Sequence, residues 1–394
     1  FQAEDGIRDR SPSRGLGDVY KRQILDSARL WNGIQLLGKL FWKQLVVKLL
    51  ILKERIYHMA RKVTKIHTSS HPVAKNKILR PSSKNIAHAA QSLRKGGIVV
   101  FPTETVYGLA ANAMNDDSVA KVFQIKKRPS FNPLIVHFRD TRSVKKFVRF
   151  NKYASILAKQ FWPGSLTLVL PKKKNCKISL LASAGLDSLA VRVPESKIAR
   201  ELIKKSRLPI AAPSANVSGT ISPTAAKHVL DNLPKNGIDI IDGGKCKIGI
   251  ESTIIDLTGK NFRLLRPGGI EMHKIEEALK VKILSSKNRN QSKPKSPGQM
   301  KIHYAPKIPL RINIKRIDQS EALLSFGQHK HRTFKKELNL SPNGNLREAA
   351  SNLFTMLHEL DKKRFSSIAV MPIPKKGLGL AINDRLFRAS KKRP

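Results

Sequence analysis

Cysteine is almost missing from this 394-residue chain, with Cys176 and Cys246 the only two. That excludes a disulfide scaffold and any cysteine zinc cluster, and it fits a reducing cytoplasm. Acidic residues are scarce too: 28 Asp and Glu stand against 75 Lys and Arg, a formal charge of +47 spread along the chain. Such a field favours polyanions and phosphate-bearing ligands, although a lysine-rich genome gives the same bias without any function. No apolar run approaches the roughly 20 residues that cross a bilayer. The most apolar stretch, residues 34–56, is broken by Lys39, Lys43, Lys48 and Lys53, so no membrane partner is expected. There is no GxxxxGK[ST] loop either, since Gly243-Gly244-Lys245 lacks the flanking glycine and hydroxyl of a P-loop. What remains is globular: 40% hydrophobic residues and enough length for two domains, each with its own core.

Phe1–Gln23 carries charge and turn residues without periodicity and reads as translated sequencing-adaptor sequence. Residues 34–56 read as an amphipathic surface helix, a targeting peptide, or sequence upstream of a start at Met59. Residues 1–58 are therefore expected to be a non-native or untranslated extension. From Ile86 onward, helix and strand alternate. Ile86, Ala89, Ala90 and Leu93 recur at helical spacing, and Gly96-Gly97 ends that helix. Apolar runs at 98–101, 134–138, 166–170, 189–193, 238–241 and 253–257 predict strands. Residues 196–205 and 223–232 predict helices, the second with Ser222 at its N-cap and Pro223 at its first position. The expected catalytic domain is α/β, an open twisted mixed sheet with flanking helices, over 78–283. Residues 285–299 hold no aliphatic or aromatic side chain and read as linker, with the linker or lid set at 284–307. A smaller C-terminal α/β domain is expected over 308–392, with strands at 310–314 and 368–371 and an amphipathic helix at 346–361.

Several turns carry polar chemistry. The strand 98–101 delivers Thr103, Glu104, Thr105 and Tyr107 at its end, where ligands of open α/β sheets often sit. The same residues also read as a capping turn into a helix beginning near Thr105. Lys126 and Arg128 precede a proline-constrained turn, so their cationic heads are expected to converge where the next strand begins; they equally read as a solvated basic turn. His137 reads as ligand or as an ordinary strand histidine. Ser214 and Asn216 offer hydrogen bonds without bulk in a Pro/Ser/Asn turn, Glu251-Ser252-Thr253 opens a strand, and Arg266 precedes a Gly-Gly turn where backbone can approach a ligand.

The order of these segments is more specific than any one of them. PTETVYGLA, KKRPSFNPLIVHF, LAVRVP, APSAN, ESTIID and RPGG occur in the sequence and spacing of the YrdC-like L-threonylcarbamoyladenylate synthases, which this chain resembles over about 86–283. The segments SPGQMKIHYAP (296–306) and GLGLAINDRL (377–386) resemble the long, two-domain form. Gln299 and Ile302 depart from the usual linker pattern. The resemblance implies that L-threonine, bicarbonate and ATP, with Mg2+ accompanying ATP, give L-threonylcarbamoyl-AMP and pyrophosphate. That product would feed tRNA threonylcarbamoyladenosine formation by a separate transferase complex. Carried over by position, Thr105, His137, Arg192, Ala212 and Ser252 are expected to contact threonine. Arg128, Asn132, Ser188, Ser214, Asn216, Ser222, Arg266 and Tyr304 are expected at ATP, with Lys126 and Arg128 as the catalytic cations and no resident metal site. The expected protein is a monomer with weak tRNA or RNA binding. An RNA-binding module without catalysis is the alternative. The carbamoyl-transfer enzyme of hydrogenase maturation, which shares a related domain, is disfavoured by the missing cysteine motifs.

Overall fold

The computed structural model describes residues 74–285, 296–298, 300, 303–314, 316–330 and 334–391. The expected 1–58 extension, most of 286–302, and positions 299 and 302 lie outside the described residues. The first strand, β1 (Lys77–Leu79), is followed by helix α1 (Ser83–Arg94), which buries the expected Ile86, Ala89, Ala90 and Leu93. Ser82 caps α1 by accepting the Asn85 N–H at 3.2 Å, and Gly96 leaves the helix at a φ of 79° that suits glycine. Strands β2 (Val99–Pro102) and β3 (Tyr107–Asn112) then form an antiparallel hairpin closed by the Pro102–Tyr107 pair. No helix begins at Thr105. The Thr103 side chain folds the hairpin loop instead, accepting the N–H groups of Thr105 and Val106 and donating to Val106 O at 2.7 Å.

Helix α2 (Asp116–Lys126) is capped by Asn115 and carries Asp116 and Asp117 in its first turn, as the helix dipole favours. Then come β4 (Ile135–His137), the short helix α3 (Thr141–Val144), α4 (Lys152–Phe161), β5 (Leu166–Pro171) and β6 (Ser188–Arg192). After α5 (Lys197–Ser206) and β7 (Ile210–Ala211), helix α6 spans Ala226–Asn232. It starts later than the sequence predicts: Ser222 is no cap, because its hydroxyl is drawn to Glu251 Oε1 at 2.6 Å. Strands β8 (Asp239–Ile241), β9 (Thr253–Asp256) and β10 (Arg263–Arg266), helix α7 (Met272–Leu279) and β11 (Leu284–Ser285) complete the first sheet. Its order is β1-β8-β2-β3-β7-β4-β6-β5-β9-β10-β11. Parallel pairs such as β4/β6 and β5/β9 mix with antiparallel ones such as β2/β3 and β5/β6, so the expected mixed sheet is found.

The C-terminal part has a second, all-parallel sheet in the order β12-β15-β13-β14. Its strands are β12 (Leu310–Ile312), β13 (Ala322–Ser325), β14 (Lys336–Asn339) and β15 (Ile368–Val370), with helices α8 (Leu346–Leu360) and α9 (Gly379–Ala389). Its core does not close on itself. Val106, Ile221 and Ile250 from the first sheet's loops pack into the cluster built by Leu353, Phe354 and Ile382, together with Tyr304. Glycine makes that approach feasible at Gly249, where an added Cβ would stand 2.6 Å from the Ser351 backbone. His228 stacks on His358 at 4.1 Å, and the hydroxyls of Thr224 and Thr355 lie 2.9 Å apart across the same seam.

Candidate active site

A cavity opens where the β2–β3 loop, β4, β6, β9 and β10 converge, roofed by Pro297, Gly298, His303 and Tyr304. Thr105, Arg128, His137, Arg192, Ala212, Ser214, Ser252, Arg266 and Tyr304 all line it, so segments far apart in the chain meet at one place. Lys126, Asn132, Ser188, Asn216 and Ser222 do not line it.

One wall is built on a buried ion pair. Arg192 Nη2 meets Glu104 Oε1 at 2.5 Å, with each side chain only 4% exposed. The other Glu104 oxygen accepts the backbone N–H of Glu195 and Ser196, tying the turn before α5 to the same carboxylate. Arg192 Nη1 donates to Thr105 Oγ1 at 3.0 Å, and Thr105 Oγ1 lies 2.8 Å from Thr103 Oγ1. Because the Thr103 hydrogen goes to Val106 O, Thr105 must donate to Thr103. Thr105 therefore presents only a spare acceptor to the cavity, the complement of an amine N–H. Beside it, burial and the nearby Arg192 hold the His137 imidazole down to about 3, so it faces the cavity neutral. Its Nδ1 has no hydrogen-bond partner among the described residues.

The opposite wall is cationic. Arg128 is clamped by Asn132 O at 3.1 Å and Pro133 O at 2.9 Å, and Arg266 by Ser252 O at 3.0 Å and Ser252 Oγ at 3.1 Å. Neither guanidinium makes an ion pair among the described residues. Desolvation and the facing Arg266 push Arg128 down to about 9, still cationic at neutral pH. Arg266 is lowered as well, chiefly by desolvation. Among the described residues Glu251 is the lone carboxylate on the lining, and both its oxygens are taken, by Ser222 Oγ and by Arg385 Nε at 3.0 Å. Two buried cations without acids are a receptor for an anion.

Lys126 and Arg128 lie close enough for their charges to interact, but their cationic heads take different partners. Lys126 Nζ turns behind the cavity and donates to Ser214 O and Asn216 O, both at 2.5 Å, because α2 ends at Lys127 in the left-handed region and redirects the chain. Burial and then Arg128 hold its amine well below the usual lysine range. Lys126 thus braces the loop that presents Ser214. Asn216 braces the same loop through Thr220, Asn132 supports Arg128 through its carbonyl, and Ser188 opens β6 away from the cavity. Over the top, Tyr304 is fully buried between His303 and Phe354, and Gly298 packs directly on Arg266. Sequence reasoning assigned no role to Glu104, Glu251, His303 or Arg385. Each lies inside a segment singled out for its pattern, but an acid's partner lies far along the chain, 88 positions for Glu104–Arg192 and 134 for Glu251–Arg385.

Fold and cavity define an α/β protein that gathers arginines without an ion-pair partner among the described residues beside a small polar pocket, a make-up suited to a phosphorylated ligand next to a small polar one. Comparison with known proteins sharpens that class. A family profile described as "Telomere recombination" matches residues 91–268, and one described as "Threonylcarbamoyl-AMP synthase, C-terminal domain" matches 270–391. The threonylcarbamoyl-AMP synthase of Bacillus subtilis is 38% identical over 328 residues, covering 79% of this chain and 94% of the relative. That of Pyrococcus abyssi is 38% identical over 317 residues, covering 77% and 93%. The crystal structure of P. abyssi Sua5 complexed with L-threonine superposes with a TM-score of 0.73 at 36% identity, covering 81% of this chain and 98% of that one. The chain belongs to the threonylcarbamoyl-AMP synthase family.

Proposed function

We propose that this chain condenses L-threonine, bicarbonate and ATP into L-threonylcarbamoyl-AMP and pyrophosphate, the first step of threonylcarbamoyladenosine formation on tRNA. The observation that carries the reading is the pairing of two acid-free arginines, Arg128 and Arg266, with a hydroxyl-lined wall in one cavity. The threonine amine first adds to the bicarbonate carbon with loss of water, giving a carbamate. A carbamate oxygen then attacks the α-phosphorus of ATP, the P–O bond to the β-phosphate breaks, and pyrophosphate leaves with the electron pair. Both reactants are anionic, so the work asked of the protein is to hold them together and offset their repulsion. Thr105, with its spare acceptor, suits the amine; Arg192 suits the carboxylate; neutral His137, Ala212 and Ser252 complete that side. Arg128, Arg266, Ser214 and Tyr304 suit the nucleotide. Lys126, Asn132, Asn216 and Ser222 support those groups from behind, and no role for Ser188 is supported.

Among the described residues no cluster of His, Cys, Asp and Glu suits a metal ion, and Glu251 is already engaged. In this reading Mg2+ arrives with the substrate, on the phosphates of ATP, and the protein supplies the arginines around them. Carbamate and mixed anhydride both decompose in water, which gives the roof of Pro297, Gly298, His303 and Tyr304 a use. We assign 78–283 as the catalytic domain, 284–307 as the lid and 308–392 as the second domain. No helix among the described residues is long and apolar enough to cross a membrane. A cytoplasmic monomer that meets tRNA weakly and hands its product to a transferase complex is in keeping with the +47 charge and the scarcity of cysteine. The test is pyrophosphate release by the full chain with ATP and bicarbonate, with and without threonine. Release that requires threonine supports the reading; release indifferent to threonine, from folded protein, refutes it.

A further inference from the structure

Arg385 belongs to α9, beside the second sheet, yet its side chain is completely buried against loops of the first. Nε donates to Glu251 Oε2 at 3.0 Å; Nη1 donates to Pro267 O at 2.5 Å and faces Asp384 Oδ2 at 3.2 Å. The guanidinium carbon lies 5.5 Å from the centre of the Tyr304 ring. Glu251 and Tyr304 line the cavity, and Pro267 directly follows Arg266. Asp384, in turn, holds Arg388, which donates to Met300 O next to the roof. A single turn of α9 therefore grips the acid on the cavity wall, the carbonyl after a phosphate-facing arginine, and the roof tyrosine.

A buried carboxylate beside a polyphosphate site repels the ligand unless something offsets it, and breaking such a pair from one side leaves the other charge uncompensated. Ser222 gives Glu251 a hydrogen bond but no charge; Arg385 gives both, from outside the cavity. We propose that Arg385 is a positioning residue for ATP: by neutralising Glu251 and holding the Arg266-Pro267 turn, it keeps the cavity receptive to phosphate, so the C-terminal domain takes part in nucleotide binding. This rests on the synthase reading of the cavity, which it extends to a residue outside the lining.

The experiment measures ATP binding calorimetrically, and kcat with KM for ATP and for threonine, on the full chain and on R385M, R385K and R385M/E251Q. Removing one partner of a buried charge pair is expected to weaken ATP binding by about 30-fold or more in R385M. The threonine KM should change little, and R385K should keep most of the ATP affinity. The deciding variant is R385M/E251Q, where the uncompensated carboxylate is gone: ATP binding should recover by roughly tenfold over R385M. A role limited to packing the domains predicts no such recovery, and no recovery, or an R385M that binds ATP like the native chain, overturns the proposal. If R385M is not recovered folded, R385Q and R385Q/E251Q make the same comparison. Failure of the native chain itself to bind ATP would sink the synthase reading; native binding with an indifferent R385M would sink this inference alone.

Discussion

Replacing Glu104 by Gln tests how the threonine wall is built. The substitution keeps the shape of the side chain and removes its charge. In the native structure Glu104 meets Arg192 at 2.5 Å and the N–H groups of Glu195 and Ser196 at 3.0 and 3.3 Å. Every partner is a donor, so whichever way a glutamine amide turns, its NH2 group faces another N–H. With the amide oxygen turned to the backbone N–H groups, Arg192 keeps only Thr105 Oγ1 and Gly164 O as acceptors, and in either orientation its buried charge loses its counterion. Breaking a buried pair from one side costs about 3–5 kcal/mol, whereas replacing both partners with apolar groups is often neutral. At this chain length about 2 °C of Tm accompanies each kcal/mol, so E104Q should lower Tm by roughly 6–10 °C, with little sensitivity to salt. Scanning calorimetry at neutral pH in low and high salt measures it. A second scan on E104Q/R192M should show no further loss, because the stranded cation is gone. A drop under about 2 °C for E104Q, or a double variant much worse than the single, would refute the buried-pair account.

Arg128→Ala should lower kcat/KM for pyrophosphate release by about 100-fold or more while circular dichroism stays native, since it removes one of two acid-free cations at the phosphate site. An RNA-binding module without catalysis predicts tolerance of the same change. Gly298→Ala places a Cβ 2.6 Å from Arg266 Cδ at a φ of 86°, and the left-handed backbone alone costs about 1–2 kcal/mol. It should raise the ATP KM by roughly tenfold or more; an unchanged KM would separate this turn from nucleotide binding. Burial and the stacked His228 hold His358 down to about 3 in the folded protein, against about 6.5 when unfolded. Between those values only the unfolded chain takes up the proton, so stability is complete above about pH 6.5 and falls as pH drops, by about 1.4 kcal/mol per pH unit from this residue. Urea midpoints at pH 7.5 and 5.0 should therefore converge in His358→Gln relative to the native chain, and equal pH dependence in both would contradict the assignment.

Much of the fold was legible because it is written locally. The run at 98–101 is apolar throughout, those at 166–170 and 253–257 are mostly apolar, and they became β2, β5 and β9, while the face of Leu353, Phe354 and Leu357 became the buried side of α8. Strand β14 was not legible: Lys-Glu-Leu-Asn is half-buried at a sheet edge and has no alternation to read. The helix start at Ser222 failed because a proline after a serine is a local signal, while the attraction of Glu251 for the hydroxyl comes from a residue 29 positions away. The cavity divides the same way. Motif order brought out nine residues that line the cavity together with five that do not, whereas Glu104, Glu251 and Arg385 act through long-range ion pairs that only folding creates. Lys126 shows the converse: its place beside Arg128 in the chain suggests a shared target, yet with the left-handed Lys127 between them Lys126 donates to Ser214 O and Asn216 O while Arg128 donates to Asn132 O and Pro133 O.

The most direct measurement follows two labels into one product. The full chain is incubated with ATP carrying 32P at the α-phosphate, 14C-bicarbonate and unlabelled L-threonine, and the adenylate is separated quickly at low temperature. Attack by the carbamate on the α-phosphorus predicts 32P and 14C in equal amounts in a single threonine-dependent adenylate, with unlabelled pyrophosphate. An adenylate that carries 32P without 14C, or no adenylate from protein that is folded and binds ATP, contradicts the account.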